Sequence, residues 1–165
     1  LDWSRDALVA LFFATNPEDS SLVRGIDAAV WVLNPVTLNQ AYNFNEFTQP
    51  GYIPNVEEAG FNRIFGPDSL PLTTPKPAAA IGPLNSSRIN AQRGVFTVFP
   101  HQKNLTPMEQ FPDSSTFLVK ICIATESFED IQAQLRRYGV TKIALFPELQ
   151  SIAGEITRQV VAERI

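Results

Sequence analysis

LDWSRDALVALFFA (Leu1–Ala14) and RINAQRGVFTVFP (Arg88–Pro100) are the two stretches on which the fold of this chain turns. In the first, Ser4 is expected to cap a helix beginning near Arg5. Asp6 then falls in the first turn, where a negative charge suits the helix dipole. Ala7, Leu8, Leu11, Phe12 and Ala14 supply an apolar stripe at helical spacing. The pattern ends at Asn16-Pro17, because the residue before a proline disfavours the helical region. In the second stretch, Arg88, Asn90 and Gln92 alternate with Ile89 and Ala91, which predicts a strand entrance with the three polar side chains on one face. Gly94-Val95-Phe96-Thr97-Val98-Phe99 continues as a strand.

Between and after these stretches the chain keeps switching period. Ala28-Ala29-Val30-Trp31-Val32-Leu33 reads as a buried strand closed by Asn34-Pro35, and Pro35–Gln40 as the start of a short helix. From about Phe44 to Leu84 no period lasts. The segment holds seven prolines (Pro50, Pro54, Pro67, Pro71, Pro75, Pro77 and Pro83) and scattered aromatics, the pattern of an extended loop laid over a core. One or two helical turns are expected over Asn55–Phe61. Phe117–Ile123 alternates as a strand. Ser127 with Asp130 begins a helix that places Ile131 and Leu135 on one face and stops at Gly139. Pro147 and Glu148 suit the start of a last helix continued by Leu149, Ile152, Ile156 and Val160. Strands in the middle and helices at the ends make the expected class α+β, in one domain over residues 1–165.

Composition bounds the function. The chain has 165 residues, 44% hydrophobic and 18% charged, which suits a globular domain with a sizeable core. A net charge of -4 without a basic run weakens a nucleic-acid-binding reading. No apolar run approaches the roughly twenty residues needed to span a bilayer. Cys122 is the only cysteine, so an intramolecular disulfide is excluded. Its place in the Phe117–Ile123 run reads as a buried core thiol, and a cytoplasmic, reducing location is the simplest expectation. Without an initiator Met, and with first residues that read as the end of a motif, the chain is expected to lack an N-terminal part of its domain.

Two groups of residues carry the candidate chemistry. Asp2-Trp3-Ser4 places a carboxylate, a large aromatic and a hydroxyl at a helix entrance. Either Trp3 stacks on a planar ligand while Asp2 orients a polar group, or Asp2 bonds nearby backbone donors while Trp3 fills the core. Arg88 and Gln92 combine a fork suited to phosphate with an amide that both donates and accepts; otherwise they form a solvated strand edge. His101, the only histidine, lacks Cys or His neighbours at ligand spacing, and no metal site is expected. Glu57-Glu58 reads as a solvated turn.

Leu1-Asp2-Trp3-Ser4, Ala10-Leu11-Phe12-Phe13-Ala14, Arg88-Ile89-Asn90-Ala91-Gln92-Arg93-Gly94-Val95-Phe96-Thr97, and Gly139 followed by Leu145-Phe146-Pro147-Glu148-Leu149 together resemble the FRG domain. This bacterial and phage-associated family is named for an aromatic-Arg-Gly motif that would lie upstream of Leu1. The order of parts is also similar, more remotely, to ADP-ribosyltransferases of the Arg-Ser-Glu group. That resemblance implies an ADP-ribosyltransferase-like mixed or antiparallel sheet with flanking helices and NAD as a possible cofactor. Asp2-Trp3-Ser4 and its helix would take the second place in that order, and the Gln92 segment the third. It implies catalytic positions at Gln92 and Asp2 and cofactor-binding positions at Trp3, Ser4 and Arg88. Gln92 departs from the pattern, because a neutral amide stands where the transferases carry a carboxylate, and it offers less to a developing positive charge. The expected function is an effector or toxin domain of bacterial or phage defence acting on a small-molecule nucleotide or a protein target. The alternative is a non-catalytic protein-interaction domain.

Overall fold

The computed structural model describes residues 1–16, 25–41, 51–67, 76–100, 105–148 and 153. Over these the chain is mixed α+β, with six helices and two small antiparallel sheets. The elements run β1 (Asp2–Ser4), α1 (Ala7–Thr15), β2 (Ala28–Leu33), α2 (Pro35–Ala41), α3 (Ala59–Phe65), β3 (Ala78–Ala80), α4 (Ser87–Ala91), β4 (Gly94–Val98), β5 (Leu118–Ile123), α5 (Phe128–Arg137) and α6 (Lys142–Leu145). One sheet has the order β1-β4-β3 and the other pairs β2 with β5. The described residues divide into two compact units. The first holds Leu1–Trp3, Ala29–Pro83 and Val95–Cys122; the second holds Ser4–Ala28, Leu84–Gly94 and the chain from Ile123 onward.

The core of the first unit gathers Leu38, Ala79, Met108, Phe111, Phe117 and Leu118, with Trp3, Trp31, Leu33 and Phe99 packed against it. Each large side chain taken fully out of water there contributes about 1.5–3 kcal/mol. A neighbouring cluster joins Phe61 to Ala78 and Ala80. Strand β3 is three consecutive buried alanines, in register Ala78 with Val98, Ala79 with Thr97 and Ala80 with Phe96. Alanine is a poor strand former, so neither propensity nor alternation announces this strand; the small side chains let helices approach it. Asn39 on α2 exploits that approach. Its amide donates to the Ala79 carbonyl (3.0 Å) and its oxygen accepts from the Ala79 N–H (2.8 Å), all of it buried. The bare Cα of Gly82 leaves room for the Phe96 ring, which an added Cβ would strike.

The predicted turn at Asn55–Phe61 starts later, as α3. Asn55 Oδ1 accepts from Glu57 N–H (2.9 Å) while Glu58 Oε1 accepts from Asn55 N–H (2.8 Å). This reciprocal pair closes a turn of its own and delays the helix to Ala59. Tyr52 then donates its hydroxyl to Glu58 Oε2 at 2.5 Å.

In the second unit Val9 and Phe12 of α1 meet Leu135 of α5 and Leu145 of α6, with Ile131, Val140 and Phe146 at the border. Gln132, buried on α5, donates to Thr15 Oγ1 (2.8 Å) and to the Phe12 carbonyl (3.3 Å), fastening α5 to α1. Gly139 closes α5 with a left-handed φ of 78°. Asp6 rather than Ser4 caps α1, accepting from Leu8 N–H (2.9 Å), so the helix begins at Ala7. Ser127 does not cap α5 through its side chain, because a 3-10 turn over Thr125–Ser127 leads into the helix instead.

Two further expectations fail on the described residues. The stretch from Arg88 to Gln92 is not a strand. It winds as α4, with Gln92 N–H donating to the Arg88 carbonyl (2.9 Å) and Arg93 leaving the helix at φ 50°. The polar-apolar alternation there is too short to hold an extended chain without a partner strand, and pairing begins only at Gly94. Cys122 is exposed rather than buried. Strand β5 buries only its ends, Leu118 and Ile123, because the two-stranded β2-β5 sheet leaves Val119, Lys120, Ile121 and Cys122 open to solvent. Pro147 and Glu148 are helical, as is Ala153. His101 and the predicted helical positions Leu149, Ile152, Ile156 and Val160 lie outside the described residues, as do residues 42–50 and 68–75 of the proline-rich segment.

Candidate functional site

Ser4, Arg88 and Gln92 belong to the second unit. The Ser4 hydroxyl donates to the Gln92 carbonyl (2.8 Å) and accepts from Asp6 N–H (3.0 Å), and Arg5 N–H donates to the Arg93 carbonyl (3.1 Å). The two signatures are therefore sewn together at the helix entrance. Arg93 adds an ion pair to Asp6 at 3.6 Å, worth at most about 1 kcal/mol at such exposure.

Arg88 and Gln92 are one turn apart on α4 and its cap, so they face the same way. The Gln92 amide donates to the Leu145 carbonyl (3.1 Å), which fixes it to the end of α6. Arg88 is held on two sides. Its guanidinium lies 5.0 Å from the centre of the Phe146 ring, a cation-π distance. Its Nε donates to Glu148 Oε1 at 2.7 Å, and Nη2 reaches the same oxygen. The Glu148 carboxyl titrates below the usual carboxylate range, first because its own backbone N–H bonds it and then because Arg88 does. Phe146 in turn meets the edge of Phe13 at 6.0 Å. Arg88 and Glu148 remain partly open to solvent, at 53% and 36% of their side-chain surface.

Asp2 and Trp3 belong to the first unit. Trp3 is half-buried against the Leu38–Phe117 core, and its indole N–H donates to Thr97 Oγ1 (3.0 Å). It is a packing residue whose one polar atom is already paired. Asp2 is exposed.

Glu148 and Phe146 were missed as site residues by sequence reasoning. Their signal is the Leu145-Phe146-Pro147-Glu148-Leu149 run itself, which carries part of the resemblance and places Glu148 at a helix start without pointing to Arg88. Among the described residues no group of three or more His, Cys, Asp or Glu could hold a metal ion, and no helix is long and apolar enough to cross a membrane.

Comparison with protein-family models, with curated proteins and with solved structures finds no match to this chain. The site therefore stands on its own geometry.

Proposed function

We propose that residues 1–165 form an FRG-type, ADP-ribosyltransferase-like domain that binds a nucleotide ligand such as NAD, and that it serves as an effector or toxin domain in bacterial or phage defence. The observation that carries the reading is the Ser4–Gln92 bond (2.8 Å). A Ser-bearing strand followed by an apolar helix is joined directly to the polar segment that leads into β4, in the order the resemblance implies. Arg88 suits a phosphate group because its fork is planar and half-exposed.

Fit to NAD is partial. Ser4 and the Trp3 indole are engaged in holding the fold, and Gln92 is neutral. A carboxylate at position 92 would stabilise developing positive charge; an amide does so far less. Binding is therefore the activity these residues support. Titrating the full chain with NAD and incubating it with labelled NAD and cell extract test the reading. Saturable binding supports it, and absence of both binding and label transfer removes it.

A second reading rests on one observation of its own. Val32, Val119 and Ile121 are exposed at 48%, 56% and 50% on the β2-β5 sheet, a surface suited to a protein partner. In that case Arg88→Ala and Gln92→Ala leave partner binding unchanged.

A further inference from the structure

We infer that Glu148 occupies the Arg88 anion site as an internal stand-in for a phosphate group, so that a phosphate-bearing ligand binds unit two by displacing the Glu148 carboxylate. The inference rests on the reading of Arg88 as a phosphate-binding residue and adds the group that controls it. Three observations lead there. Arg88 spends both Nε and Nη2 on one oxygen, Glu148 Oε1, although a guanidinium fork matches two acceptor oxygens side by side. The second oxygen, Oε2, is shielded from solvent and has no hydrogen-bond partner among the described residues. The pair is thus incomplete on the acid side, where a phosphate would present two oxygens to the same fork. Both side chains keep enough solvent exposure to separate.

The rest of the cluster stays in place when they do. Arg88 is braced over Phe146, and the neighbouring Gln92 amide is pinned to the Leu145 carbonyl. The guanidinium therefore remains aimed after the carboxylate leaves. Neutralising Glu148 should expose a preformed anion site without rebuilding it.

Calorimetric titration of the full chain with inorganic pyrophosphate and with NAD tests this, using wild type, Glu148→Gln and Arg88→Gln. Thermal melting serves as a check that each variant folds, with Arg88→Lys as a charge-keeping second variant. The expected result is about tenfold tighter pyrophosphate binding by Glu148→Gln than by wild type, loss of binding in Arg88→Gln, and weak residual binding in Arg88→Lys. Equal or weaker binding by Glu148→Gln overturns the inference while leaving nucleotide binding intact if NAD still binds through Arg88. Tighter pyrophosphate binding by Glu148→Gln with no NAD binding upholds the inference and removes the nucleotide reading. Binding of neither probe to either protein overturns both.

Discussion

Asn39 shows how one side chain can act as a segment of backbone. Its amide satisfies both polar groups of Ala79 inside the core. Asn39→Ala leaves a donor and an acceptor buried and unpaired, which should cost at least about 2 kcal/mol, read as a lower urea midpoint with an unchanged slope. Tyr52 and Glu58 make a different kind of pair, exposed and sensitive to pH at both ends. The phenol's hydrogen bond holds Glu58 below the ordinary 4.5, and the same bond to Glu58 raises Tyr52 above 10.0. A carboxyl depressed in the folded state contributes stability above its unfolded value and loses it as pH falls through the folded one. A raised phenol contributes below its unfolded value and loses it as pH rises through the folded one. The contact should therefore persist across the neutral range and fail toward both extremes. Phenolate absorbance should show the Tyr52 titration in difference spectra between wild type and Tyr52→Phe, and Glu58→Gln should move that titration down toward 10.0.

Among the elements, the α1–α5 contact has the clearest energetic consequence. Leu135 is 2% exposed between Val9, Phe12 and Leu145, and Leu135→Ala should destabilise the protein by about 2–5 kcal/mol in chemical denaturation. Helices α1, α2 and α5 and strands β2, β4 and β5 were legible in the sequence, because each carries an apolar period with a proline, glycine or cap at its end. Strand β3 was not, since three alanines have no alternation to read and their strand state comes from pairing with β4. Helix α4 was misread for the opposite reason: five residues alternated by chance, and local hydrogen bonding decided the matter. The site was legible in part. Ser4 and Gln92 do meet, but through the backbone oxygen of Gln92, a contact no side-chain pattern reveals. Arg88 was found without its partner, because Glu148 sits far along the chain and comes near only through the α4–α6 packing.

At the scale of the whole molecule, each compact unit is assembled from three separate stretches of chain. No continuous fragment therefore contains one of them without also carrying stretches of the other. A fragment spanning residues 1–83 lacks the Val95–Cys122 stretch of the first unit and the Leu135 and Leu145 anchors of the second. It should melt without a cooperative transition in circular dichroism, whereas the full chain should show one. Long sequence separations also slow folding, because loop closure precedes the reward of contact.

The α1 helix carries this furthest. Gln132 bonds the Phe12 carbonyl across 120 residues of chain. On a ribosome adding about 5–20 residues per second, the side chains of Val9 and Phe12 emerge on the order of ten seconds before Leu135 exists to cover them. During synthesis this helix is a greasy nascent segment awaiting a partner not yet translated, which makes it a natural client of a chaperone at the exit tunnel.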